Sequence, residues 1–379
     1  MTPALLRLLI ENERVDARAV DEFLAKNPSP IVEGSTVTFL YRGPADAVLL
    51  RHFIYGLPSA QPFQRLTGTD LWHLSLEVPP RSRFEYKFEV VRGREQRLIR
   101  DPLNPRTAAD PFGTNSACWS SGYETPEWAR PDPSARPGRL EEIAVPAGAY
   151  PEARPVTVYL PARLRETRRY PLLVLHDGPD YLRFANLQAV LDNLAGSHEI
   201  HEMIVALTPS PDRMREYAAD PRQTRFLVDD LLPALEARFP VSADPSDRAV
   251  GGASLGAVAS LFAAWQRPGT FGGLLLQSGS FAFTDIGREV RNPILEPVME
   301  FVNAFRDNPD RPAERVFLSC GVYEGLIYEN RSLAPMLQRT GMDVRFVEAR
   351  DGHNWENWRD RLREGLSWLF PGPLGLMYE

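Results

Sequence analysis

The sequence predicts two folded bodies in one chain, a β-sandwich followed by a doubly wound, mostly parallel α/β sheet. Three observations carry that prediction. Up to about residue 122, short runs rich in β-branched and aromatic residues recur with turn signals between them. From about residue 139, short apolar runs alternate with helical stretches, as in sheets buried on both faces. Seven prolines, Pro126 to Pro155, fall around the join. A chain of 379 residues suits two such domains. The expected division is 1–122, a linker at 123–138, and 139–379.

Taken in order, two helical segments come first, roughly Pro3–Asn12, with Pro3 in its first turn, and Asp16–Lys26. Strands follow at Thr36–Tyr41, Ala47–Phe53, Trp72–Val78 and Phe84–Val90, several alternating with period two. Pro79-Pro80 and Arg92-Gly93 punctuate them. The proline-rich stretch reads as an extended, semi-rigid link. In the second body the apolar runs are Pro155–Leu160, Leu172–Leu175, Met203–Leu207, Ala249–Gly251, Leu274–Gln277, Val316–Ser319 and Val344–Val347. Helices are expected at Phe226–Phe239, Leu255–Gln266 and Trp355–Phe370.

Composition removes several classes of function. With 43% hydrophobic and 25% charged residues, the chain is neither disordered nor fibrous. A net charge of −7 argues against nucleic acid or an anionic membrane surface as partner. Only Lys26 and Lys87 are lysines among 43 basic residues, a bias that reads as base composition. Cys118 and Cys320 form no metal or disulfide framework and suit a reducing compartment. No secretion signal is recognisable, and no apolar run approaches the roughly 20 residues that span a bilayer. A cytoplasmic location is expected.

The strongest motif is Gly252-Ala-Ser254-Leu-Gly256, after a strand and at the start of an apolar helix. That is the setting of a nucleophile elbow, in which small flanking residues let strand and helix approach. A serine needs a base, and His353, between the last strand and last helix, sits where the chain order Ser, acid, His requires one. Glu324, just past Val316–Ser319, is the expected acid. Asp351 is only two residues from the histidine, too close to orient it from the far side; Glu329 and Asp343 are weaker candidates. The oxyanion calls for backbone N–H donors, one from Leu255 and one from the loop His176-Asp-Gly178-Pro179-Asp180. Pro179 has no N–H, so that donor is Gly178 or Asp180. His198 and His201 stand at i, i+3 with no further ligand cluster, so no metal site is expected. No phosphate-cradling or dinucleotide loop occurs, and no cofactor is expected. Cys320 reads as a strand-end core residue.

These residues resemble the enterochelin (ferric enterobactin) esterases, in the esterase D-like group of α/β-hydrolases. Leu173-Val-Leu-His-Asp-Gly178 looks like their oxyanion loop, Arg213-Met-Arg-Glu216-Tyr217 with Phe226 and Asp230-Leu-Leu-Pro233 their R-x-x-E stretch. Gln277-Ser-Gly-Ser280-Phe and Asp351-Gly-His353 match two further segments. Trp72 to Phe88 and Asp101-Pro-Leu-Asn-Pro105 resemble their Ig-like N-terminal domain. The resemblance implies an α/β hydrolase with an N-terminal Ig-like β-sandwich domain. It implies a serine carboxylesterase that opens the trilactone of a ferric catecholate siderophore and releases iron, with Ser254, His353 and Glu324 as triad. Arg213 then either faces the anionic ligand or pairs with Glu216 to hold its loop. Trp355 and Trp358 either line the cleft or pack the last helix; Arg213 and Trp355 are the expected substrate contacts. In this family the N-terminal domain covers one side of the cleft, so its removal should hurt bulky substrates more than small ones. Two other readings compete: a carbohydrate acyl or feruloyl-type esterase with a glycan-binding N-terminal module, and an idle binding protein. The particular ester and the oligomeric state are not legible in the sequence.

Overall fold

Period-two patterning in the N-terminal third builds two antiparallel sheets. In this computed structural model Ala4 and residues 15–283 and 295–373 are described. The helix expected at Pro3–Asn12 lies outside them, apart from helical Ala4. Two compact units are present: Met1–Glu124 with Gly321–Glu324 and Ala349–Asn354, and the remainder.

In the first unit the helix Ala17–Lys26 starts at Asp16, whose carboxylate accepts the Ala19 N–H at 2.8 Å. The strands are β1 (Ile31–Glu33), β2 (Thr36–Arg42), β3 (Ala47–His52), β4 (Ala60–Pro62), β5 (Gln64–Arg65), β6 (Leu71–Glu77), β7 (Arg83–Arg92), β8 (Glu95–Ile99), β9 (Thr107–Asp110) and β10 (Gly113–Trp119). One sheet runs β1-β2-β6-β5; the other runs β4-β3-β7-β10-β9, with β8 beside β7. Val37, Phe39 and Tyr41 from the first meet Val48, Leu50, Tyr86 and Phe88 from the second in one core. Phe39 and Tyr86 pack edge to face, centroids 4.9 Å apart. Leu40, on the opposite face of β2, packs with Val20 and Phe23 of the helix. Both faces of β2 are therefore covered, which explains why Val37 to Tyr41 are all buried. The strands the sequence reading missed are short or polar; Glu-Gln-Arg-Leu-Ile of β8 has almost no buried face.

The second unit holds β11 (Arg139–Val145), β12 (Arg154–Leu160), β13 (Leu172–His176), β14 (Ile204–Thr208), β15 (Arg248–Ala253), β16 (Gly273–Gln277), β17 (Arg315–Gly321) and β18 (Asp343–Ala349). Their order is β11-β12-β14-β13-β15-β16-β17-β18. Pairing is antiparallel at β11–β12 and β12–β14, and parallel from β14 through β13, β15 and β16 to β17. Leu172 and Val174 point into one core with the helices Leu255–Gln266 and Glu296–Asp307. Leu173 and Leu175 point into another with Leu187–Gly196 and Trp355–Leu369. Alternate residues of one strand thus feed two layers, the doubly wound arrangement. β11 escaped the sequence reading because its Arg-Leu-Glu-Glu start is largely exposed at the sheet edge.

One helix differs from expectation. Instead of a single helix over Phe226–Phe239, Pro221–Arg225 leads into a π-helical segment, Phe226–Leu231, and then Leu232–Arg238. Pro233 lacks the N–H that would bond the Asp229 carbonyl, and the preceding turn widens, with Leu232 N–H donating to Leu227. Among the described residues no helix is long and apolar enough to cross a membrane.

Candidate active site

Ser254 stands between the end of β15 and the helix Leu255–Gln266 with φ 58° and ψ −120°. A non-glycine residue in that region costs about 1–3 kcal/mol and persists only where its surroundings impose it. They do so here. Ser254 N–H donates to the Gln277 carbonyl at 2.8 Å, and Ser280 N–H donates to the Ser254 carbonyl at 3.3 Å. A Cβ on Gly252 would lie 3.0 Å from the Gly256 backbone and from His176 Cβ, so the flanking glycines allow the close approach. The Ser254 and Ser280 hydroxyl oxygens are 3.1 Å apart.

In the first unit, His353 Nδ1 lies 2.5 Å from Glu324 Oε2, and Glu324 Oε1 accepts the Gly321 N–H at 2.6 Å. Glu324 is buried, while the His353 side chain is 36% exposed. The structure thus brings together the two residues that follow β17 and β18. Asp351, the alternative acid, is engaged elsewhere: it accepts from Arg83 Nη1 at 3.1 Å, from Asn354 Nδ2 at 2.8 Å and from Gly352 N–H at 2.7 Å. Asp343 is exposed. Arg83, which also donates to Asn354 Oδ1 at 2.8 Å, was not foreseen. Nothing local marks it, because its partners come 268 and 271 positions later. The neighbouring loop is tied in the same way, with Tyr323 Oη 2.5 Å from Ser82 Oγ.

The loop after β13 begins with Asp177 at φ 54°, and the helix Gly178–Phe184 follows. Gly178 is packed so tightly that a Cβ would fall 2.3 Å from Leu207 Cβ. Pro179 occupies the first helical turn, where an N–H has no helical partner to find. Of the two candidate donors, the Asp180 N–H already donates to the Asp177 carbonyl at 3.0 Å. That leaves Gly178 as the loop's candidate beside Leu255. His176 is buried, its Nδ1 3.1 Å from both the Gly251 carbonyl and Ser260 Oγ, and burial pushes its pKa down to about 4. Burial pushes the Asp177 carboxyl up, with Arg213 opposing.

Two expectations are corrected. Arg213 does not pair with Glu216. Its Nε donates to both Asp177 oxygens at 3.0 and 2.9 Å, and its Nη2 to the Ala253 carbonyl at 3.2 Å. Glu216 instead takes Arg154 in a two-pronged pair at 2.8 and 2.6 Å. Trp355, expected against substrate, is only 6% exposed and packs edge to face on Tyr181 and Trp358, with centroids 5.1 and 4.7 Å away. It is a core residue of the last helix. Trp358 is buried too, donating through Nε1 to Ser278 Oγ at 2.9 Å. His198 lies in a turn at φ 60°, and among the described residues no cluster of His, Cys, Asp or Glu could hold a metal ion.

A doubly wound sheet carrying a strained serine between strand and helix defines an α/β-hydrolase. The esterase family model matches residues 148–369, and the model for the N-terminal part of enterochelin esterase matches 36–134. The iron(III) enterobactin esterase of Dickeya dadantii is 24% identical over 347 residues, covering 82% of this chain and 80% of its own. That of Escherichia coli K12 is 24% identical over 331 residues, covering 81% of each. Among solved structures, the ferric enterobactin esterase of Salmonella typhimurium superposes with a TM-score of 0.73 at 22% identity, over 88% of this chain and 93% of that one. The Shigella flexneri enterobactin esterase solved in the presence of enterobactin gives 0.71 at 22%, over 88% and 92%. The chain belongs to the enterochelin esterase family and is a carboxylic ester hydrolase.

Proposed function

We propose that this esterase opens the ester bonds of a ferric catecholate siderophore trilactone through Ser254, His353 and Glu324, and so releases iron. The observation that carries the reading is the His353–Glu324 hydrogen bond after β17 and β18, on the same sheet whose β15 ends in the Ser254 elbow. Glu324 fixes the Nδ1–H tautomer, so Nε2 is the basic nitrogen. Ser254 Oγ attacks the ester carbonyl as its proton passes to Nε2. The carbonyl oxygen takes the negative charge, held by the N–H groups of Leu255 and Gly178. Collapse expels the alkoxide, which takes the proton from His353. Water, deprotonated by the same nitrogen, then attacks the acyl-serine and restores the enzyme.

The trilactone assignment rests on the enterobactin esterase relatives, and iron is cargo of the substrate. Two facing antiparallel sheets and the match over 36–134 support an Ig-like β-sandwich for residues 1–122, joined by 123–138 to a catalytic domain at 139–379. Cys118 and Cys320 are both buried as thiols, which favours the reducing cytoplasm. The purified enzyme should cleave both a short-chain 4-nitrophenyl ester and a ferric trilactone. Ser254→Ala should lower kcat at least about 10³-fold on both. Undiminished turnover by that variant refutes the serine mechanism, and small-ester activity without trilactone cleavage refutes the siderophore assignment.

A further inference from the structure

We propose that Arg213 is a positioning residue, setting the loop that carries the Gly178 N–H against the strand end that carries Ser254. The inference rests on the serine-esterase reading above and deepens it, for it concerns how that site's oxyanion donors are held.

The argument starts from Asp177, whose peptide bond to Gly178 carries the donor N–H. Every polar group of Asp177 is fixed. Its N–H donates to Tyr217 Oη at 3.2 Å, and its carbonyl accepts from Asp180 and Tyr181 N–H at 3.0 and 3.1 Å. Its carboxylate takes Arg213 Nε at 3.0 and 2.9 Å. Asp177 is held at φ 54° and ψ 33°, a left-handed conformation unusual for a residue with a side chain. The plane of the Gly178 N–H is therefore set by these contacts.

Arg213 adds a reference point. While Nε holds Asp177, Nη2 donates to the carbonyl of Ala253, the residue just before Ser254. One rigid, planar guanidinium thus bridges the oxyanion loop and the nucleophile strand. A lysine could reach one of them but could not present that fork. The guanidinium also stacks over Tyr217, 5.6 Å from its ring centre, and Tyr217 is the partner of the Asp177 N–H. Charge points the same way. Asp177 is nearly buried and adjoins a site where an oxyanion develops, so its carboxylate would repel the transition state unless neutralised. Arg213 supplies that neutralisation without entering the reaction.

A positioning role and a substrate contact differ in what they do to kinetics. In the first, Arg213→Met lowers kcat for neutral and anionic esters alike, because a displacement of about 1 Å costs on the order of 100-fold. KM then changes little. Since this variant leaves Asp177 buried without a counter-charge, Asp177→Asn/Arg213→Met serves as the folded control, with circular dichroism to check it. Both should show the kcat loss on a neutral 4-nitrophenyl ester, and a trifluoromethyl ketone mimicking the tetrahedral adduct should bind weaker by a matching factor. Arg213→Lys should recover only part of kcat. A raised KM confined to a carboxylate-bearing ester, with kcat intact, overturns the proposal in favour of a ligand contact. Wild-type kcat in the double variant overturns it too, while the Ser254→Ala loss keeps the serine reading standing. Unchanged turnover in Ser254→Ala sinks both.

Discussion

At the scale of single residues, what could be read from the sequence was chemical type and chain order. Glu324 and His353 were placed after successive strands, and the structure puts their polar atoms 2.5 Å apart. Partners set by tertiary folding were not legible. Arg213 has Glu216 three residues away, yet its carboxylate is Asp177, 36 positions earlier. Trp355 was open between lining the cleft and packing the last helix, because sequence does not tell a buried helix face from one that borders a cleft. His176 carries a prediction at this scale. Its folded pKa, about 4, lies below its ordinary 6.5, because burial disfavours the imidazolium. As pH falls the unfolded chain takes the proton first, so His176's share of stability is present above pH 6.5 and is lost between 6.5 and 4. The loss amounts to roughly 3 kcal/mol. Urea unfolding at pH 7.5 and pH 5 should show a smaller drop for His176→Gln than for the wild type; equal drops would refute the assignment.

At the scale of elements, legibility followed burial. Helix Leu255–Gln266 was read to the residue, because a fully apolar stretch after a Gly-rich turn has few alternatives. Seven catalytic strands were read from their apolar runs, and β11 was lost because an edge strand needs little apolar surface. The π-helical segment at Phe226–Leu231 had a signal in Pro233, which lies inside the stretch expected as one helix, Phe226–Phe239. Packing also limits substitution. The helix Gly178–Phe184 starts against β14, with no room for a methyl group at Gly178. Gly178→Ala should therefore shift the loop away from Leu207, lowering kcat at least about tenfold and stability by about 1–3 kcal/mol. Kinetics on a small neutral ester and a thermal melt measure both; wild-type values in each would contradict the packing account.

At the scale of the whole molecule, the described chain forms two compact units, and the membership of each was not legible in composition and punctuation. Gly321–Glu324 and Ala349–Asn354 group with the N-terminal strands. Arg83 at the start of β7 holds Asp351 and Asn354, and Ser82 holds Tyr323. Removing the N-terminal strands would thus leave the loops that carry Glu324 and His353 unsupported, so small esters should suffer along with bulky ones, unlike the expectation drawn from the family resemblance. Arg83→Met tests this without truncation. It takes the guanidinium away from buried Asp351, two residues before His353, and should cost about 3–5 kcal/mol, with kcat on a small neutral ester falling at least about tenfold. A variant with wild-type turnover on small esters and a defect confined to bulky ones would restore the earlier view.

The tie between Ser82 and Tyr323 joins positions 241 apart, and that between Arg83 and Asp351 joins positions 268 apart. Such closures come late, because the loop entropy of the intervening chain must be overcome before the contact stabilises anything. During synthesis the N-terminal strands leave the ribosome long before the loops they will hold. With the triad proposed above, competence for ester cleavage should therefore come late, and a chain interrupted anywhere before Asp351, which lacks His353, should be catalytically silent.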